Sequence, residues 1–334
     1  MRREKALDFS GCNSRPGTGS LHPVAMELKS ADDLSGAVAA FRRAIKLKPD
    51  LEKAHYDLGM ALRSQGKIEA GEKELRDLKG LHDFRTRLAQ AKLLTLQGVD
   101  ALKEQKLDDA MALFQRAIEQ GPDLPTGHYY LGVTWQRKGD PSRAHVAFEK
   151  ALALKPDYAQ AHSSLGLLYW GQNDRTRALD EFRQAVMSDP DFSEAHYNLG
   201  LALAQSGGLD EGIREFNEAL SLNPNYTDAR IQLGLVLNQK GDSAGAANVF
   251  HDLLRRDPNS AEAYNNLGLV QLQAGDLRAA QAEFAEALRL KARYAEAHYN
   301  LGLALQQDGK ERESRAEFEK AYAISPELRN LPHP

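Results

Sequence analysis

The 334-residue chain is almost without cysteine. Its one thiol, Cys12, cannot close an internal disulfide or build a cysteine-based zinc site. No run of about 18 apolar residues occurs, so no segment reads as a membrane-spanning helix. Aromatic residues are scarce, at 7%, while hydrophobic residues reach 42%. A core is therefore affordable, but it must be built mainly from aliphatic side chains and alanine. Excess charge of one sign is also missing. The net charge is −4 and the pI is near 6.2, which argues against a basic nucleic-acid-binding surface. The first twenty residues carry positive charge without the apolar stretch of a secretory signal. "FSGC" at residues 9–12 resembles the end of a lipoprotein signal, but Asp8 and the missing apolar stretch argue against it. The expected compartment is the cytoplasm, with export as the alternative if the true N-terminus differs. Catalytic signatures are absent too: no phosphate-cradling Gly-rich loop, no His-Glu-x-x-His pair, no Gly-x-Ser-x-Gly elbow. The expectation is a protein that is not an enzyme and needs no cofactor and no metal.

What the chain does contain is repetition. "AHYNLGLAL" occurs at Ala195–Leu203 and again at Ala297–Leu305. Leu-Gly pairs end at Gly59, Gly132, Gly166, Gly200, Gly234, Gly268 and Gly302, the last six spaced by 34. Phe41, Phe114, Phe148, Phe182, Phe216, Phe250, Phe284 and Phe318 keep the same spacing, with one gap of 73. Pro49, Pro122, Pro156, Pro190, Pro224, Pro258 and Pro326 each follow such a Phe by eight residues. Three residue types agree on one register, so the period is a property of the structure rather than of composition.

Within a period the spacing is helical. His196, Leu199 and Leu203 fall on one face, Gly207-Gly208 break the chain, and Phe216 and Ala219 share a face of a second helix. Pro224 cannot continue that helix. The unit is helix, turn, helix, proline stop. These residues resemble the tetratricopeptide repeat, as in His128, Leu131-Gly132, Trp135, Gly139, Ala144, Phe148, Ala151 and Pro156. The resemblance implies an all-α fold, a right-handed superhelical α-solenoid of about nine helix-turn-helix repeats. The expected units are 18–51, 52–85, 91–124, 125–158, 159–192, 193–226, 227–260, 261–294 and 295–328. A disordered segment, 1–17, precedes them, a five-residue insertion occupies 86–90, and a tail covers 329–334.

Two units depart from the pattern. The first has Val24-Ala25 in place of Leu-Gly, and Pro23 falls inside its opening helix. The second has Gly71, Leu75 and Leu78 where Ala, Phe and Ala belong, and it lacks the closing proline. The stretch after it predicts one helix from about Phe84 to Gln105, and hence an irregular joint.

Counting each unit from its first residue, His55, His128, His162, His196 and His298 all stand at position four. Successive equivalents should lie about 10 Å apart, too far to share a metal ion, so a structural role is expected. Partly buried neutral imidazoles there would have depressed pKa values, and stability would fall as the pH drops below about 6.5.

A second face of the first helices carries the functional expectation. The resemblance implies that positions two, five, nine and twelve line the concave inner surface. Position five holds Tyr129, Tyr197, Ile231 and Tyr299; position nine holds Val133, Leu167, Leu201, Leu235, Leu269 and Leu303; Trp170 stands at twelve. An apolar stripe not needed within a unit marks a binding surface. Position six adds Asn198, Gln232, Asn266 and Asn300, amides able to pair with a peptide backbone. They resemble the asparagine ladder of the repeat arm of O-linked N-acetylglucosamine transferase. Position two places Glu194, Asp228, Glu262 and Glu296 at one edge, an acidic groove that would favour a basic partner segment. Acids near a helix N-terminus also complement its dipole. The chaperone-type carboxylate clamp is not matched, because position nine is apolar throughout. The expected partner is a protein or peptide, extended or helical, held in this groove, with no nucleic acid and no membrane span. An assembly role, homo-oligomerisation, or a non-catalytic subunit presenting substrates to a separate enzyme is the alternative. Oligomeric state is left open.

Overall fold

A computed structural model describes residues 18–330. The segment 1–17, and residues 331–334 of the expected tail, lie outside the described residues. The described residues form seventeen α-helices and one short 3-10 turn, with no strand. They fall into two compact units, one ending at Gly127 and one beginning at His128.

The first unit contains α1 (Thr18–Ser30), α2 (Leu34–Leu47), α3 (Glu52–Ser64), α4 (Ile68–Lys103) and α5 (Leu107–Gln120). Helix α6 (Pro125–Arg137) starts at the boundary. The second unit continues with α7 (Pro141–Leu154), α8 (Ala159–Gly171), α9 (Arg175–Ser188), α10 (Ser193–Gln205) and α11 (Leu209–Leu222). It ends with α12 (Thr227–Gln239), α13 (Ser243–Arg256), α14 (Ala261–Gln273), α15 (Leu277–Leu290), α16 (Ala295–Gln307), α17 (Glu311–Ile324) and the turn Pro326–Asn330. From α7 onward each helix packs chiefly on its neighbours in sequence, the contact pattern of stacked helical hairpins.

The co-periodicity of Gly and Phe has a direct steric cause. A Cβ on Gly166 would lie 2.5 Å from Phe182, and one on Gly268 would lie 2.6 Å from Phe284. The ring of the second helix lies against the bare backbone of the first, so the two residues recur together. Phe41, Phe114, Phe148, Phe216, Phe250 and Phe284 are wholly buried. The turn inside a unit needs a left-handed residue: Gly139, Gly207, Gly241 and Gly275 have φ between 78° and 91°. Asp140, Asp242 and Asp276 follow such a glycine directly, and Asp174 follows Asn173 at φ 63°; all four cap the second helix by accepting a backbone N–H.

Both irregular units fold as helices. Pro23 lies in the second turn of α1, where only one backbone bond is lost. Ala25 takes the glycine's place and is buried against Phe41. The joint is a larger departure than expected. Helix α4 begins at Ile68, not near Phe84, and runs for 36 residues without a break, about 54 Å at 1.5 Å per residue. Asp83 stands where proline closes most units, and the five extra residues are helical. Loss of proline alone does not fuse two helices: Ala292 holds that place after α15, which still ends at Leu290. Insertion and missing stop act together.

The position-four histidines form ties rather than a metal site. Among the described residues no cluster of three or more potential ligands could hold a metal. In His55, His162, His196 and His298, Nδ1 meets Glu74, Glu181, Glu215 and Glu317 at 3.1, 2.7, 2.7 and 2.6 Å. Nε2 meets the carbonyls of Pro49, Pro156, Pro190 and Ala292 at 2.9 to 3.1 Å. Each tie joins both helices of its unit to the end of the preceding one. Carboxylate and carbonyl both accept, so the place suits a ring that donates from both nitrogens. For His162 the shift runs opposite to the expected one. Burial alone would lower the His162 pKa, but its bonds to Glu181 and to the Pro156 carbonyl outweigh it and raise the value. Arg230 fills the same place in unit 227–260, donating to the Pro224 carbonyl at 2.7 Å with Asp252 at 3.4 Å.

Candidate interaction groove along the first helices

Helices α8, α10, α12, α14 and α16 present the face singled out in the sequence, and the structure divides its residues into two classes. Ile231 and Tyr299 are each only 6% exposed. Tyr299 packs against Phe318 with the rings tilted by 58° and their centroids 5.3 Å apart. Tyr129 and Tyr197 are half-buried, the first against Phe148 and Tyr158, the second against Phe216 and Tyr226. These position-five side chains belong largely to the core. The position-six amides expected to grip a ligand backbone are buried as well. Asn198 Nδ2 donates to Ser163 Oγ at 3.0 Å, and Asn300 Nδ2 donates to Asn265 Oδ1 at 2.9 Å. Each bond crosses from one unit to position five of the unit before, so these donors hold the stack together. Asn266 is buried beside them and Gln232 is half-buried.

The accessible part is position nine with its acidic edge. Leu167 is 40% exposed, and Val133, Leu201, Leu235, Leu269 and Leu303 are half-buried. Trp170 is half-buried, with the Arg175 guanidinium 3.6 Å over its ring. Glu194, Asp228, Glu262 and Glu296 are all exposed. None of the four forms an ion pair with a described residue.

These carboxylates act in pairs around aromatic residues that the sequence reading missed. Burial, then Glu194, Tyr197 and Asp228, push the Tyr226 hydroxyl up to about 12. Burial, then Glu262 and Glu296, push Tyr294 up to about 12. Position-two acids of adjacent units thus flank the tyrosine between them and make that edge electronegative. The available signal was the aromatic closing four units: Tyr158, Phe192, Tyr226 and Tyr294. No described helix is long and apolar enough to cross a membrane.

No curated protein matches the chain. Solved structures share its fold. A tetratricopeptide repeat protein from Parabacteroides merdae is similar with a TM-score of 0.55 and 18% identity, over 71% of this chain and 94% of its own. PilW, a widely conserved type IV pilus biogenesis factor, has a TM-score of 0.54 and 21% identity over 60% of this chain and 94% of its own. Yeast Tom70 has a TM-score of 0.51 and 17% identity over 92% of this chain and 78% of its own. The sequence profile of the tetratricopeptide repeat matches residues 25–84, 95–159, 136–186, 163–229, 231–277 and 270–328. With its Gly-Phe packing, its capped turns and that match over most of its length, the chain belongs to the tetratricopeptide repeat family.

Proposed function

We propose that the chain is a protein-interaction scaffold whose first helices in units five to nine hold an extended or helical segment of a basic partner. The observation that carries this reading is the register of four exposed carboxylates, Glu194, Asp228, Glu262 and Glu296, beside a row of partly accessible leucines. Apolar side chains of the partner lie on Leu167, Leu201, Leu235, Leu269 and Leu303, and Lys or Arg side chains meet the acids. The asparagines and Tyr299 serve indirectly, by fixing the spacing of the leucines. The test is fluorescence anisotropy with a synthetic alternating Lys/Leu peptide and its Glu/Leu counterpart. The Lys/Leu peptide is expected to bind, more weakly as salt shortens the Debye length below about 8 Å. Changing all four acids to lysine should weaken it by about tenfold or more, roughly 1.4 kcal/mol per factor of ten. Equal binding of both peptides, or no loss in the quadruple variant, would overturn the reading.

A further inference from the structure

Tyrosine stands at position five of four units, and in three of them the chain covers its ring. Tyr299 has Phe318. Tyr129 and Tyr197 each lie 5.0 Å, centroid to centroid, from the aromatic that closes their own unit, Tyr158 and Tyr226. Tyr56 is the exception, at 50% exposure. The cause is the fused helix. Position 34, where Tyr158 and Tyr226 stand, is Arg85 in unit 52–85; it lies within α4, and its Nη1 donates to Glu52 at 2.9 Å. No closing loop forms there, and no described ring packs on Tyr56.

The face around Tyr56 is basic. Lys53, Tyr56, Met60 and Arg63 occupy positions two, five, nine and twelve of α3, one stripe about 15 Å long at 1.5 Å per residue. Lys53 and Arg63 are exposed and form no ion pair with a described residue. The acids beside them in sequence are engaged elsewhere. Asp57 is buried, with His22 at 2.8 Å and Lys29 at 4.0 Å, and Glu52 holds Arg85. The bond from His22 to Asp57 sets α1 beside α3, and α1 adds Met26, 38% exposed, at its own position nine. The result is an open ring next to two methionines, with an unbalanced cation on either side of it.

We propose that this face holds an acidic segment of a partner protein through one aromatic side chain, which packs on Tyr56 in the place that Tyr158 and Tyr226 fill in their own units. Carboxylates on either side of that aromatic meet Lys53 and Arg63. Met26 and Met60 suit such an occupant, because flexible thioethers pack well against a ring edge. Two cations beside apolar side chains fit a short acidic peptide better than the evenly charged backbone of a nucleic acid. The acidic groove proposed above carries the opposite charge on other helices, so either site can fail without the other.

The test is an NMR titration of the full chain with its methionine methyls labelled. The probe is a peptide of alternating Asp and Glu with one central Trp, blocked at both ends so that no terminal carboxylate takes part. Met26 and Met60 should shift saturably, while Met111 on α5 and Met187 on α9 should not. Replacing the Trp of the peptide by Ala, or Tyr56→Ala in the chain, should weaken binding about tenfold; Tyr56→Phe should keep it. Lys53→Gln with Arg63→Gln, which keeps both stems, should weaken it about tenfold or more and leave the Lys/Leu peptide bound as before. An unmoved Met60, full binding by the folded double variant, or equal binding of the Ala peptide would each overturn the proposal. So would an equal shift with a short thymidylate strand, the mark of a general polyanion site. A Met60 shift that follows protein concentration alone would assign the face to a second copy and overturn it too.

Discussion

The stack from α8 to α17 and the joint at α4 are built from the same repeat, yet they treat equivalent positions in opposite ways. At position three, Ala161, Ala195, Ala229, Ala263 and Ala297 are wholly buried, because the preceding unit covers the first helix there. In unit 91–124 the same position is Leu93, at 49% exposure, and position six is Leu96, at 64%. The cause is the fused helix. When the second helix of one unit continues straight into the first helix of the next, it cannot fold back beside it. Burial in a solenoid is thus set by the turn between units as much as by the side chain. The larger, more apolar residue is found outside in the joint, and alanine is found inside in the stack.

Paired substitutions break this comparison most sharply. Phe182→Ala in the stack should cost about 3–5 kcal/mol, a buried ring removed; Phe84→Ala, on a residue 52% exposed, should stay within about 0.5 kcal/mol. Urea unfolding would show it, and similar costs would mean that α4 is covered after all. Next comes the joint itself. Asp83→Pro restores the stop residue at its periodic place but sits inside α4, so it should cost about 3 kcal/mol and lower the helical signal in circular dichroism. An unchanged spectrum would mean that α4 is not continuous. Glycine gives opposite signs in the two regions. Gly166→Ala should destabilise by about 1–3 kcal/mol by driving a Cβ into Phe182, whereas Gly80→Ala, with nothing within 4 Å, should stabilise by about 0.5–1 kcal/mol.

The smallest effect is on pH. The folded His162 pKa is raised. Its contribution is therefore complete below the unfolded value of about 6.5 and is lost as the pH rises through the folded value. The folded Glu317 pKa is lowered, because bonds from Lys320 and His298 outweigh burial. Its contribution is present above the unfolded carboxylate range and is lost as the pH falls through the folded value. Tm should be highest between these limits and decline above neutrality. His162→Gln should flatten the alkaline side, and a Tm that rises from pH 6 to 8.5 would contradict the raised His162 pKa.

The regular part of the fold was legible because its constraints are local and repeated. Glycine, phenylalanine and proline each answer to one contact or one turn, and all three recur in one register. The extent of α4 was less legible. The missing proline at Asp83 looks like the missing proline at Ala292, and only the added residues separate a fused helix from an ordinary turn. The groove was half legible. Positions two, five, six and nine read as one exposed stripe, but a first helix shares part of that stripe with the unit before it. Hence Ile231, Tyr299 and the asparagines turn inward while the acids and leucines remain accessible. The direction of the His162 shift was misread, although a glutamate nineteen residues after four of the histidines was there to be found.

Helix α4 also limits how this chain could be rebuilt. Elsewhere a segment of 34 residues begins and ends in a turn, so one copy could be duplicated or excised and its neighbours rejoined in register. Between Ile68 and Lys103 no such seam exists, since any cut divides a helix owned by two units. Shuffling of modules must stop on either side of it, which leaves the second and third units, α3 to α5, to be inherited together.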